Sequence, residues 1–317
     1  MPRRKKGTAI HGWVNLHKPV GVTSTQAVGK IRRALNAQKV GHGGTLDPLA
    51  SGVLPIALGE ATKTVNFIQD ALKTYRFTVA WGEQRSTDDA EGDVLQSSDN
   101  RPSLKDVESV LSHFIGDIEQ IPPQFSAIKI EGERAYDIAR DGDHADIKSR
   151  PVYIESLGIL QHEADKTVFD CTCGKGTYVR ALARDMGQKL GCFGYISALE
   201  RTKVGPLTLK DAISLEFFEK MIDNPDQERD LSDVVLPLQT VLDDIPVLAV
   251  KDMEATRLKH GNGIALLSRP DLARLEAIGI NWKADDKTTA LVTYNNRALA
   301  MVEINGAKLQ PVKVFNL

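Results

Sequence analysis

The sequence predicts an α+β protein in which a larger part with a mixed sheet is followed by a small β-rich module. Three observations carry this. Strongly alternating, β-rich segments such as YRFTVAW (75–81) are interleaved with amphipathic stretches such as 28–35. Towards the end, TALVTY, ALAMVEI and LQPVKVF read as short alternating strands separated by Asn/Gly turns. Between the two parts, DNPDQERDLSDVVLP (223–237) is polar, acidic and proline-bounded, and reads as a surface connection.

Taken in order, WVNL (13–16) is a short apolar strand ending at the Pro/Gly turn HKPVGVTS. A helix follows, capped by Thr23 or Ser24. Val28, Ile31 and Leu35 form its apolar stripe, with Lys30, Arg32 and Arg33 off it. Glycine content makes 41–52 a loop; VLPIAL (53–58) has strand length, and 61–72 reads as a helix. After strand 75–81, Ser103 and Asp106 resemble a capping box in front of VESVLSHFIG. Residues 124–130 are strand-like, 135–140 form a short helix, and 152–160 and 167–173 are strands. A helix over 178–190 carries Val179, Leu182, Met186 and Leu190 on one side, and 195–199 is a further strand candidate. In the C-terminal module, VLAV (247–250) and a helix ending at Gly261 precede the three closing strands.

Composition narrows the function classes. The 317 residues are 42% hydrophobic and 26% charged, as in a globular protein, and no apolar run approaches the roughly 18 residues of a membrane span. MPRRKKGTAI is basic but lacks an apolar continuation, so it reads as a flexible arm rather than an export signal, and a cytoplasmic location is expected. Cys171, Cys173 and Cys192 lack metal spacing and read as reduced, partly buried thiols. The net charge is −2, but Arg3, Arg4, Lys5, Lys6, Lys18, Lys30, Arg32, Arg33 and Lys39 all precede Asp47, the first acid of the chain. Such one-sided charge suits a polyanionic partner.

Asp47 lies in GHGGTLDPLASG (41–52), otherwise free of formal charge. A lone carboxylate there is a nucleophile, a general base, a metal ligand or a turn residue. His42 is nearby, but no further ligand-type residue lies in the loop, which disfavours a metal. The apolar run after the loop leads into the core, where a carboxylate is costly unless paired. KGTYVRALARD (175–185) offers Arg180 as that partner, and the surrounding glycines allow close approach of a ligand's backbone.

Five ordered blocks carry a family resemblance: VNLHKPVGVTS (14–24), GHGGTLDPLASGVLPIALGEATK (41–63), TYRFTVAWGEQRSTDDAEGD (74–93), IPPQFSAIKIEGERAYDIARDG (121–142) and CGKGTYVRALARDMGQKLG (173–191). Over about 12–205 the chain resembles the TruB family of pseudouridine synthases. The resemblance implies the pseudouridine synthase fold, with a largely antiparallel central sheet flanked by helices and loops. It also implies isomerisation of uridine 55 in the T-loop of tRNA, by base flipping and without cofactor or metal. It assigns Asp47 as the essential carboxylate, Tyr75 as the residue stacking on the flipped base, and Arg180 as the partner of Asp47. Tyr178 and Leu199 would line the pocket, His42 would fill the place the uridine vacates, and Lys18 and Pro19 would support the pocket. GCFGYISALERTKVG (191–205) departs from the family's usual string at Phe193–Tyr195 and at Glu200. Residues 246–317 resemble a PUA-like RNA-binding domain, which gives a basic arm 1–11, a catalytic domain 12–240 with a tRNA-binding insertion near 121–150, and the PUA-like domain. The implied partner is the T-arm of tRNA, bound by a monomer that needs no guide RNA and no membrane.

Overall fold

A computed structural model describes residues 7–317 apart from 127, 131, 141–145, 224–232 and 285. Arg3, Arg4, Lys5 and Lys6 of the basic arm and most of the acidic connection lie outside the described residues.

The apolar start predicted at 13–16 is β1 (Gly12–Lys18), buried throughout except for half-buried His17. Its turn ends in α1 (Ser24–Ala34), and of the two candidate caps it is Thr23 that serves. The Thr23 side chain accepts the Gln26 N–H while the Gln26 side chain accepts the Thr23 N–H, a reciprocal box. Ile31 is fully buried on the inner face, whereas Arg32 and Arg33 face solvent; burying one such aliphatic side chain stabilises by about 1.5–3 kcal/mol. The Gly-rich loop is shorter than expected. Its first residues belong to β2 (Val40–His42) and its last to β3 (Ala50–Leu58), so 43–49 form the actual turn. The helix expected over 61–72 is interrupted. A 3-10 turn covers Gly59–Lys63 and α2 spans Val65–Asp70, because the buried Thr64 hydroxyl bonds to the Ala61 carbonyl at 2.8 Å and breaks the ladder.

Next come β4 (Lys73–Trp81), a hairpin of β5 (Glu83–Arg85) and β6 (Val94–Ser97), α3 (Leu104–Leu111) with the expected Ser103–Asp106 box, and β7 (Gly116–Gln120). The strand expected over 124–130 is reduced to β8 (Lys129–Ile130), paired with β9 (Glu133–Arg134). Pro122 and Pro123 cannot donate to a ladder, and Ser126 N–H turns back to the Gln124 carbonyl at 3.0 Å. Helix α4 (Ala135–Arg140), β10 (Arg150–Glu163), β11 (Lys166–Cys173) and α5 (Val179–Lys189) follow. Then β12 (Gly194–Val204) runs five residues beyond the expected end at 199 and so includes Arg201. β13 (Leu207–Thr208), β14 (Ile213–Ser214) and α6 (Leu215–Asp223) close this part; α6 had no counterpart among the expected elements.

Among the described residues, ten strands form one sheet in the order β14-β1-β3-β12-β4-β11-β10-β7, with β13 on β12 and β2 on β3. Most pairs are antiparallel; β1/β14 and β3/β12 are parallel, so the sheet is mixed, as expected. The β3/β12 pair sets Leu199 opposite Ala50 and Arg201 opposite Gly52, which brings the loop after β2 against β12. One core lies between β4, β11 and the apolar face of α5, and a second between α1, α6, β1 and β3. The three cysteines are free and buried, two of them on β11.

The C-terminal part holds β15 (Val247–Ala249), α7 (Asp252–Lys259), β16 (Ile264–Ala265), α8 (Arg269–Ala277), β17 (Thr288–Tyr294), β18 (Arg297–Asn305) and β19 (Lys308–Val314). Its sheet runs β15-β17-β18-β19-β16 over its own core. Leu291, Met301 and Phe315 share another core with Trp13 and Val53, so the smaller sheet packs against the larger part. The described end of the acidic connection is not a plain surface link. Leu236 exchanges two backbone hydrogen bonds with Trp13, at 2.7 and 2.8 Å, and Val234 is buried.

Candidate active site

The loop 43–49 is held from below on three sides. Ser24 Oγ accepts the Leu46 N–H at 2.9 Å and donates to the Leu46 carbonyl at 3.0 Å, tying the loop to α1. Gly21 N–H donates to the Pro48 carbonyl at 2.8 Å. From β12, the buried Arg201 guanidinium reaches the carbonyls of Val53 (2.8 Å), Gly44 (3.2 Å) and Thr45 (3.3 Å). Gly52 makes this approach possible: at φ +107° a Cβ would stand 2.2 Å from the Arg201 carbonyl oxygen. Gly52→Ala is therefore expected to destabilise the protein by on the order of 3 kcal/mol, combining left-handed strain with overpacking. Urea unfolding measures this directly, and a loss below about 0.5 kcal/mol, the usual range of a surface substitution, would refute the close approach.

On this loop Asp47 turns its carboxylate towards α5. Arg180 Nη2 lies 3.0 Å from Asp47 Oδ2; the Arg180 side chain is 8% exposed and that of Asp47 43%. Arg180 is itself fixed by the Thr87 carbonyl (2.9 Å), the Phe125 carbonyl (3.0 Å) and the Asp89 carboxylate (3.6 Å). A buried guanidinium with several partners presents one edge to a carboxylate that stays open to a ligand. The stretch STDDAEGD, the end of the third of the five blocks, thus supplies two of these partners. Neighbouring Asp88 pairs with Arg184 at 3.0 Å, and burial pushes its carboxyl up to about 6.

A cavity of about 440 Å³ opens beside this pair, within the range of small-ligand sites. Asp47, Tyr75, Tyr178, Arg180 and Leu199 all line it. Tyr75 is half-buried on β4, and burial raises its phenol above the usual tyrosine range while Arg201 pulls it the other way; near neutral pH it remains a neutral hydroxyl. Tyr178 precedes α5. Its N–H donates to Gln120 Oε1 at 2.8 Å and its carbonyl accepts from Gln120 Nε2 at 3.2 Å, so Gln120 does the work of a cap.

The remaining expected residues lie outside the lining. Lys18 is fully buried, donates to the Pro19 (2.8 Å) and Val22 (2.7 Å) carbonyls, and has its pKa lowered to about 8 by burial, with Asp47 opposing. Pro19 is exposed. His42 is half-buried on β2, with Nδ1 facing the Gly44 N–H at 3.4 Å. Burial first, then Arg201, lowers its pKa, so the ring is neutral.

Known proteins resemble this chain over its whole length. A family model described as "TruB family pseudouridylate synthase (N terminal domain)" matches residues 32–179, and one described as "tRNA pseudouridylate synthase B C-terminal domain" matches 180–243. A protein of Rhodopseudomonas palustris named tRNA pseudouridine synthase B is 51% identical over 100% of this chain and 83% of its own length. The chain belongs to the TruB family. A second relative of that name, from Caulobacter vibrioides, is 50% identical over 100% of both chains. Among solved structures, a Cbf5–Nop10–Gar1 complex contains a chain that superposes with TM-score 0.71 at 24% identity. It covers 96% of this chain and 85% of that one, and shares the fold.

Within this TruB-family chain, sequence reasoning did not assign Arg201, Asp89 or Gln120. Arg201 left a faint signal, a basic residue continuing a strand pattern beyond 199. Gln120 left none, because its amide acts on the backbone of a residue 58 positions away. Among the described residues no group of three or more His, Cys, Asp or Glu side chains is placed to hold a metal, and no helix is long and apolar enough to cross a membrane.

Proposed function

We propose that this chain isomerises uridine 55 in the T-loop of tRNA, acting alone as a monomer in the cytoplasm, with Asp47 as the essential carboxylate. The observation that carries the reading is the Asp47–Arg180 pair at the edge of a cavity large enough for a nucleoside. Relatives about half identical over the full chain, named tRNA pseudouridine synthase B, support the same substrate class.

The reaction breaks the N1–C1′ bond, turns the uracil, and forms a C5–C1′ bond; C5 loses a proton and N1 gains one. Electrons balance within the substrate. Asp47 stabilises or captures the positive charge that develops at C1′, or adds to the ring, and Arg180 holds its geometry in either case. Tyr75, with its hydroxyl protonated, stacks on the extruded base and passes the proton. Lys18, beneath the loop, sets the field at Asp47 from behind. Residues 246–317 form a PUA-like module that carries further RNA contact, and 12–240 the catalytic domain with its insertion near 121–150.

The test is incubation of the purified protein with an unmodified T-arm hairpin, followed by mapping of pseudouridine. Product at the T-loop uridine is expected with protein alone; product only after adding a guide RNA and partner proteins would overturn the stand-alone reading. RNA binding is expected to weaken with salt, because lysines and arginines that meet phosphates release counterions. Arg32, Arg33 and Lys39 supply such charge on the described surface. Equal affinity at 50 and 200 mM salt would remove this face from the RNA interface.

A further inference from the structure

Helix α5 carries two arginines four residues apart, Arg180 and Arg184, which therefore share one face of the helix. Both grip the same two segments. Arg180 Nη1 donates to the Thr87 carbonyl at 2.9 Å and Nη2 to the Phe125 carbonyl at 3.0 Å. One turn on, Arg184 Nη1 donates to the Asp88 carboxylate at 3.0 Å and Nη2 to the Ile121 carbonyl at 2.7 Å, while Nε meets Asp185 at 2.8 Å. The loop 87–89 and the stretch 121–125 that leads into β8, β9 and α4 are thus each fastened twice. Arg184, Asp88 and Ile121 lie outside the cavity lining. The second clasp is costly to keep. Burial pushes the Asp88 carboxyl up to about 6, with Arg184 and Arg180 opposing and Asp185 adding to the push, and the Asp88 backbone stands in the left-handed region at φ +59°. A buried carboxylate and a left-handed residue other than glycine both cost free energy, and such costs gather where a site requires the geometry.

We propose that Arg184 is a positioning residue for the isomerisation: it locks Asp88 and Ile121 in place and thereby fixes the direction from which Arg180 meets Asp47. The inference rests on the reading that Asp47 carries the reaction on uridine. Transmission is short on both sides. Thr87 and Asp89, two partners of Arg180, are the chain neighbours of Asp88. The Asp88 N–H donates to the Arg85 carbonyl at 3.1 Å and its carbonyl accepts the Ile196 N–H at 3.0 Å, which ties the same loop to β12. Between Ile121 and Phe125 stand Pro122 and Pro123, both buried, whose rings fix φ. So stiff a segment passes a shift of the Ile121 carbonyl on to the Phe125 carbonyl. Without Arg184 each segment loses one of its two arginine fastenings, and the remaining one is the guanidinium that aims at Asp47. A misplacement of about 1 Å at a catalytic group costs on the order of 10²-fold in rate.

Single-turnover rates on the unmodified T-arm hairpin, RNA affinities and urea midpoints separate positioning from mere stapling of the fold. Asp88→Asn keeps the shape, suits the left-handed backbone and removes the buried charge, so its urea midpoint is expected to be unchanged or raised. Its rate is expected to fall about fivefold, because a neutral acceptor holds Arg184 less firmly. Arg184→Met keeps the aliphatic stem and loses the fork. Where this variant is fully folded, its rate should fall roughly 10- to 100-fold while RNA affinity changes by less than about twofold. Made on top of Arg180→Ala, the same change should cost less than about threefold, because the residue through which Arg184 acts is gone. An equal loss in both backgrounds would overturn the proposal. So would a loss of affinity with the rate at saturation unchanged, which would assign Arg184 to the grip on RNA. Should Arg184→Met fail to fold, Asp88→Asn decides alone: a lower rate beside an undiminished midpoint upholds the proposal, and a wild-type rate, or a midpoint that falls with the rate, overturns it. A wild-type protein that leaves the hairpin unmodified would sink the uridine reading and the proposal with it, whereas the variant outcomes bear on the proposal alone.

Discussion

Asp47→Asn is expected to lower the single-turnover rate by on the order of 10⁴-fold or more while RNA affinity changes by less than about threefold, the pattern of a group used only in the transition state. The substitution keeps shape and removes charge. The fold should tolerate it, because the Asp47 side chain is 43% exposed and its backbone carbonyl still accepts the Ala50 N–H at 3.1 Å. Asparagine offers no anionic oxygen to a developing cation at C1′ and no nucleophile to the ring, so either route stops. Arg180 would then face a neutral amide, which is unfavourable but does not unfold a site opening on solvent. The measurement is pseudouridine mapping from single-turnover reactions beside an equilibrium binding titration. Turnover within tenfold of the wild type would remove Asp47 from the chemistry. If the variant still supports normal tRNA folding in cells, RNA binding has a purpose separable from isomerisation.

The route to Asp47 also shows what the sequence made legible. Elements whose side chains alternate or recur at helical spacing emerge from the pattern alone: β1, β4, β11, α1 and α5 lie close to where period and caps place them. Patterns fail where one atom outside the segment decides. The Thr64 hydroxyl splits a helix, and the Pro122–Pro123 pair followed by the turn at Ser126 replaces a strand. At the site, residue types with distinctive chemistry in a distinctive context are recoverable, namely Asp47, Tyr75, Tyr178, Arg180 and Leu199, all on one cavity. Lys18, expected to support the pocket, is buried outside its lining, and His42 is half-buried on β2, also outside the lining. The burial of Lys18 has no signature in HKPVGVTS itself, and only the family resemblance set this lysine in support of the pocket. The residues that act by bonding backbone carbonyls, Arg201 and Gln120, are least legible, since their partners carry no side-chain signature.

Arg180→Ala is expected to reduce kcat by about 10²–10³-fold, the scale of misplacing a catalytic group or losing a preorganised charge. It should also cost about 3 kcal/mol of stability, because a buried ion pair loses one member. The two effects have different origins in this geometry. Asp89 is 4% exposed and lies 3.6 Å from Arg180, so the truncation leaves that carboxylate buried without its cation, held only by the Thr87 hydroxyl and the Glu91 N–H; the carbonyls of Thr87 and Phe125 also lose their donor. Asp47 is half-exposed, and water takes up its free oxygen at little cost. The stability loss therefore belongs mainly to Asp89 and the rate loss to Asp47. Adding Asp89→Asn to Arg180→Ala removes the buried charge and is expected to return most of the lost stability, read as a urea midpoint. Turnover should stay low, because nothing then orients Asp47. If turnover recovers together with the urea midpoint, Arg180 serves only the packing of α5 against residues 86–93, and the alignment of Asp47 must come from the staples beneath it, Arg201 and Ser24.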